Sequence, residues 1–423
     1  MLTVKDLTGA RQMLFESSDT LDPEVAAESV DLINAWERIL AEPVIAQSDV
    51  PAFNRSMVDG YAVRASDTFG ASDSLPAILR LDGEVAMGHP ADHPLRPKTC
   101  QAVPTGGQIP EGADAMIMIE DTDDFGDGYR YLNRSVSPGS HLIFKGDDIR
   151  KGEVLLPRGI TLEARHLAAA AAAGLQEVSV RRRLKVAVLS TGDELAAPGT
   201  PLLPGQIHDV NHVMLMSMIS GAKALPCSYG IIPDDFSLLK DVMQQAKAAC
   251  DVIVLSGGSS VGARDHVAEA IEATGSPGIL LHGIAVKPGK PTLIGFCDGR
   301  PVIGLPGHPV AAWFMANQLL LPLLYRMQNI PLPQPKMIEA ILRQRIPSNH
   351  GREEFILVQL SGDITDSPYT PVSAVPVFSK SGLITYLSRC QGYLQIPRDC
   401  EGLDEGSLVQ VTLMDNDFSK GDE

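Results

Sequence analysis

The sequence predicts a multidomain α/β protein. Its centre is a mostly parallel sheet covered by helices on both faces, with a β-rich domain, a helical linker domain and a small C-terminal β domain beside it. Three observations carry this. At 423 residues the chain exceeds what one hydrophobic core usually serves. From residue 184, apolar runs of strand length alternate with amphipathic stretches of helix length, as in strand–helix–strand units. Residues 51–144 and those past 336 lack that alternation and carry short β-like runs broken by Gly and Pro.

Residues 1 to about 45 read as two helices, the second (DPEVAAESVDLINAWERILAE) opened by Asp22 as cap and Pro23 as first helical residue. Residues 51–144 form the β-rich domain. A helix over about 162–173 follows, bounded by Thr161 and Gly174, and then a strand. Residues 145–182 close back on 1–50 as a discontinuous linker domain. Residues 183–328 are the α/β domain: LKVAVLS is a buried strand, CSYGIIP, DVIVLS and PVIGLP are strands, and another strand covers 282–286. Asn211 is read as the cap of the helix that follows it. The stretch 309–327 approaches membrane length, but it holds Asn317, Gln318 and Pro322, so it reads as a buried helix. After the proline-rich 329–336, residues 336–415 form the small β domain.

The charge balance is 35 basic against 52 acidic residues, net −17. That argues against nucleic-acid binding, which wants a basic face, and leaves room for a local anion site. The six cysteines form no C-x-x-C and read as reduced thiols. The N-terminus shows no signal-peptide pattern, and a cytoplasmic enzyme is the simplest expectation. His208 with His212, and His89 with His93, have i,i+4 spacing but lack the glutamate of a zinc motif.

Four stretches carry chemistry. In LSGGSSVGARDH a strand runs into Gly257, Gly258, Ser259, Ser260 and Gly262, and a helix follows; such a loop presents backbone N–H groups to an anion. It lacks the pattern of a Walker loop. STGDEL and GQIHDVN bring Glu194 and Asp209 to strand ends, and Asp265 opens the helix after the glycine loop. Three acids beside a phosphate cradle suit a bridging Mg²⁺, although Asp209 and Asp265 are equally readable as helix caps. AVKPGKP sets Lys287 and Lys290 on a stiff frame at the same rim, where lysine serves as a point charge for an oxyanion. GLPGHP makes a second stiff loop there.

Together FNRSMVDGYAV, PTGGQIPEGADAMIMIED, STGDEL, LSGGSSVGARDH, AVKPGKP and GLPGHPV resemble, in order and over roughly 51–400, the molybdopterin molybdenumtransferases of the MoeA type, also found as the C-terminal part of gephyrin. The resemblance implies a homodimer of four-domain subunits, with 183–328 folded like the MogA-type molybdopterin adenylyltransferase as a three-layer αβα domain and 336–415 barrel-like. It implies Mg²⁺-dependent insertion of molybdate, or tungstate, into adenylylated molybdopterin with release of AMP. Lys287 and Lys290 would hold the oxyanion and the pterin phosphate, with Arg352 and Ser381 as further oxyanion contacts. Asp59 and Thr105 match active-site positions of the β-rich domain. Asp148, Glu194, Asp235 and Asp265 match acidic positions tied to activity or metal. Pro306 and Pro309 match the loop lining the site, and a MogA-type enzyme is an implied partner.

SMVDG stands where the family usually has SAMDG, and GHPV, with His308, where it has GNPV or GYPV. The tail stretch SKSGLITYLSRCQGY is looser than the family pattern. Two other functions fit parts of the pattern: an adenylyltransferase, which shares the α/β fold, and a non-catalytic scaffold. Attachment or release of AMP separates the first; the intact acids and lysines speak against the second.

Overall fold

The computed structural model describes residues 4–19, 26–258, 266–362, 372–378 and 382–414. The chain divides into two compact units, Met1–Ala26 with Arg182–Glu423, and Ala27–Arg181.

In the first unit the strands predicted from LKVAVLS, CSYGIIP, DVIVLS and PVIGLP join two others in a six-stranded sheet. Its order is Leu225–Ile232, Lys185–Thr191, Val252–Ser256, Arg300–Leu305, Leu293–Cys297, Pro277–His282. The first four run parallel, and Leu293–Cys297 runs antiparallel to both its neighbours. Side chains alternate between two cores: Val186 and Val188 face one, Ala187 and Leu189 the other. The N-terminal helix Leu7–Asp19 buries Leu7, Ala10 and Leu14 in the first core. Arg11 ties it down by donating to Gln318 O at 3.1 Å and Oε1 at 2.6 Å. That helix therefore goes with the α/β unit, whereas the sequence suggested the linker.

The helix after the first strand spans Val210–Gly221 and is capped by Asp209, not Asn211. Asp209 has extended backbone and accepts from His212 N at 3.0 Å, so the helix starts one residue before Asn211. The stretch 309–327 is helical throughout: Pro309–Met315, a π turn over Ala316–Leu320, and Leu321–Met327. Among the described residues no helix is long and apolar enough to cross a membrane.

The tail forms a closed barrel. Glu353–Ser361, Val372–Pro376, Met337–Leu342, Leu408–Leu413 and Gly392–Ile396 pair in that order, and the last pairs back with the first. Leu342, Val358, Leu394, Ile396 and Val411 fill it. A sixth short strand, Val286–Lys287, joins this sheet rather than the α/β sheet. The expected strand over 282–286 is thus two pieces: His282 ends one sheet and Val286 begins in the other.

In the second unit another six-stranded sheet runs Ala115–Met118, Gly60–Val63, Thr99–Val103, Ala77–Glu84, Tyr129–Leu132, Thr122–Asp123. Gly60 permits the closest approach, since a Cβ there would lie 1.9 Å from Ile117 O. The expected second N-terminal helix is absent over the described residues 26–45. Ala27–Asp31 is a strand pairing antiparallel with Glu177–Arg181, followed by a single 3₁₀ turn over Leu32–Asn34. The cross-strand partner overrides helix propensity there; Asp22 and Pro23 lie outside the described residues. The helix Ala164–Ala172 is opened by a reciprocal cap between Glu163 and His166, two residues past Thr161.

Candidate active site

The two-residue strand Val286–Lys287 lies parallel to the barrel strand, with Val286 opposite Glu353 and Lys287 opposite Glu354. The turn after it is closed by Ile284 N donating to Lys290 O at 2.9 Å and Thr292 Oγ1 donating to Gly289 O at 2.6 Å. Gly289, at φ +123, abuts Met315; a Cβ there would lie 2.7 Å from Met315 Cγ. Stiffness in this loop therefore comes from packing as well as from its prolines.

The result is a cavity of about 700 Å³. Lys287, Lys290 and Arg352 line it, with Pro306 and His308 from the GLPGHP loop. Phe314, Phe355, Leu357 and Phe378 supply apolar wall. Phe314 and Phe355 stack at 5.0 Å between ring centroids, which fixes the helix carrying one against the barrel strand carrying the other. The structure thus brings together both lysines, Arg352 and Pro306; Pro309 is the first residue of the adjoining helix. Ser381 lies outside the described residues.

Sequence reading missed Glu354. Its carboxylate is 1% exposed and accepts from Lys287 Nζ at 3.2 and 3.4 Å. Oε1 also accepts from Arg352 Nε at 3.1 Å, with Nη2 at 3.0 Å. Strand periodicity was the available signal, since residues two apart share a face and Arg352 stands two before Glu354.

The parallel strands end beside this cavity. Gly257, at φ +98, passes so close to the neighbouring strand that a Cβ would lie 2.2 Å from Thr191 O; Gly258 has φ +62. Asn211, buried in its helix, donates to Ser256 Oγ and to Gly307 O, both at 2.8 Å. It ties the glycine loop to the GLPGHP loop. Ser259, Ser260, Gly262 and Asp265 lie outside the described residues.

The acids are more dispersed than expected. Glu194 is exposed and its carboxylate folds over Gly192. Asp235 caps the helix Phe236–Ala249, accepting from Leu238 N at 2.9 Å. Its neighbour Asp234, unremarked in the sequence, accepts from Thr191 Oγ1 at 2.9 Å. Asp148 is exposed and belongs to the other unit. Among the described residues no three His, Cys, Asp or Glu side chains converge as a metal site. Asp209 nonetheless keeps a buried Oδ2 with no hydrogen-bond partner among them. Magnesium is commonly held by one or two carboxylates plus substrate phosphate oxygens, so this orphaned oxygen fits that ion.

In the second unit Asp59 and Thr105 meet. Asp59 Oδ1 accepts from Thr105 N at 2.7 Å, and both residues are exposed. Backbone bonds from Ser56 N to Gly107 O and from Ile109 N to Asn54 O hold the two loops together. The cysteines are all free thiols. Burial pushes Cys297 and Cys390 each up to about 11, which keeps them protonated and poor ligands.

Three family models match in order: the MoeA N-terminal region (domains I and II) over 6–174, a probable molybdopterin binding domain over 187–326, and the MoeA C-terminal region (domain IV) over 339–414. Molybdopterin molybdenumtransferase 2 of Mycobacterium tuberculosis is 32% identical over 390 residues, 90% of this chain and 94% of that protein. The molybdopterin molybdenumtransferase of Haemophilus influenzae is 35% identical over 78% of this chain and 80% of its own. A crystal structure of the molybdopterin biosynthesis MoeA protein from Pyrococcus horikoshii superposes with a TM-score of 0.81 at 36% identity, over 98% of this chain and all of that one. The chain belongs to the MoeA family of molybdopterin molybdenumtransferases, transferase enzymes of molybdenum-cofactor biosynthesis.

Proposed function

We propose that the protein inserts molybdate, or tungstate, into adenylylated molybdopterin and releases AMP. The observation that carries this reading is the cavity lined by Lys287, Lys290 and Arg352 together with apolar side chains. A tetrahedral dianion needs several convergent donors, and cationic donors in a partly water-excluded site bind it more strongly than in water. The glycine loop beside the cavity offers backbone N–H groups to the substrate's phosphates. With the dithiolene held next to the oxyanion, much of the rate gain is proximity. The substrate's dithiolene supplies the soft sulfur ligands for molybdenum, so no protein thiolate is required.

Glu194, Asp209 and Asp265 would hold Mg²⁺, whose chemistry is to withdraw charge from the pyrophosphate. Asp59 and Thr105 would act in the same reaction. The working form is a cytoplasmic homodimer, and a MogA-type adenylyltransferase supplies its substrate.

The test is AMP release from adenylylated molybdopterin by purified protein, with Mg²⁺ and molybdate or tungstate, beside Lys287→Ala. The expected result is oxyanion-dependent release that the variant loses by roughly 10–100-fold, the worth of a charge-assisted hydrogen bond. Substrate bound by the wild type without AMP release overturns the transferase reading.

A further inference from the structure

We propose that Glu354 is a positioning residue of the oxyanion pocket: its buried carboxylate fixes Lys287 and Arg352 so that their remaining N–H groups point at one bound dianion. The inference rests on the transferase reading of the pocket and deepens it. Glu354 is 1% exposed, whereas the side chains of Lys287 and Arg352 are 54% and 38% exposed. The anchor is therefore interior and the two cations reach out from it.

The donor count supports the role. Arg352 turns one edge of its guanidinium, Nε and Nη2, toward a single oxygen of Glu354, at 3.1 and 3.0 Å. That leaves the other edge free of Glu354, with the fork's orientation fixed. Lys287 spends part of its ammonium on the same carboxylate, at 3.2 and 3.4 Å. Strand register reinforces this, because Lys287 lies directly opposite Glu354. Without the carboxylate, two like charges on neighbouring strands repel each other and lose their common anchor. Three cations against one buried carboxylate leave a formal balance of +2, which matches a tetrahedral dianion.

Two opposing effects decide the outcome of neutralising Glu354. A simple charge argument says that removing a nearby negative charge tightens anion binding. The positioning argument says that it weakens binding, because glutamine is neutral and keeps one acceptor oxygen in place of two, so Lys287 and Arg352 lose their shared charged anchor. The exposure and the shared anchor favour the second.

The experiment is calorimetric titration of the full-length protein with molybdate alone and tungstate alone, for wild type, Glu354→Gln and Glu354→Asp, with melting temperatures alongside. Glu354→Gln is expected to weaken oxyanion binding about tenfold, and Glu354→Asp, which keeps the charge on a shorter side chain, to weaken it only about threefold. In turnover the loss appears in KM for the oxyanion, with kcat nearly unchanged. Equal or tighter binding by Glu354→Gln overturns the positioning role while leaving the pocket intact. Failure of the wild type to bind either oxyanion overturns the pocket reading and this inference with it. Should Glu354→Gln not fold, Glu354→Asp alone decides, since its shorter reach is expected to weaken binding about threefold and unchanged binding refutes the proposal.

Discussion

At the scale of single residues, the three cations of the cavity are not equivalent. Lys287 and Arg352 share Glu354, but Lys290 is exposed and no carboxylate among the described residues holds its Nζ. Lys290 is thus the cation that gives up least to bind an anion, and the one whose loss disturbs the fold least. Lys290→Ala is expected to raise KM for the oxyanion roughly 10–100-fold, from the loss of a charge-assisted contact. The melting temperature should stay within about a degree of wild type. A fall of several degrees with KM unmoved would show that Lys290 is structural. Much of this was legible in the sequence. The spacing of Lys287 and Lys290, the frame of Pro288, Gly289 and Pro291, and the loop Pro306–Pro309 carry the expectation of an anion site, and the lysines and Pro306 line one cavity. Glu354 was legible only in part: period-two spacing sets it on the face of Arg352, but nothing in GREEF tells which of its two glutamates is buried or that Lys287 converges on it.

At the scale of elements, local pattern succeeded where burial dominates and failed where a distant partner decides. The parallel strands Lys185–Thr191, Val252–Ser256 and Arg300–Leu305 read correctly because both faces are buried, so their sequences are nearly unbroken apolar runs; the edge strand Leu225–Ile232 is only half-buried. The stretch before residue 45 looked helical, yet Ala27–Asp31 pairs with Glu177–Arg181, a partner some 150 residues away that no local window contains. Val286–Lys287 was assigned to the wrong sheet for the same reason. Asn211 was taken for a cap because Asn favours that position; Asp209 holds it, and Asn211 instead ties two loops. At the other end of the α/β sheet, Asp251 joins three elements. It accepts from Arg182 at 2.9 and 3.1 Å, from Lys185 N at 2.8 Å and from Arg300 at 3.2 Å. Burial pushes its carboxyl up, but the bonds from Arg182 and Lys185 and the charge of Arg300 outweigh that and hold it below the usual carboxylate range. A depressed native value means stability that is present above the unfolded value, near 4, and is lost as pH falls through the native one. Asp251→Asn is therefore expected to cost about 2 kcal/mol at pH 7. Denaturant titrations should show that gap shrinking progressively below pH 4. A gap that stays constant to pH 2.5 would remove the electrostatic account.

At the scale of the whole molecule, the cavity is a small, locally basic region of an acidic protein, and that region belongs to one unit. Every residue that lines the cavity comes from Arg182–Glu423, across four stretches: the 286–291 turn, the 306–314 loop and helix, 352–357 of the barrel, and 377–378. Asp59 and Thr105 belong to the other unit. Oxyanion binding should therefore register first in the unit that holds the cavity. A ligand at 100 times its dissociation constant stabilises the native state by about 2.7 kcal/mol, so local opening at its contacts slows correspondingly. Hydrogen exchange with saturating molybdate or tungstate alone is expected to protect 285–291, 305–311 and 352–358, with 54–59 and 104–109 unchanged. The second set carries Asp59 and Thr105, whose proposed part lies with the larger adenylylated substrate rather than with the oxyanion. Protection of the Asp59–Thr105 loops by oxyanion alone, with the lysine turn exchanging as before, would move the binding site to the other unit and refute the assignment of Lys287 and Lys290.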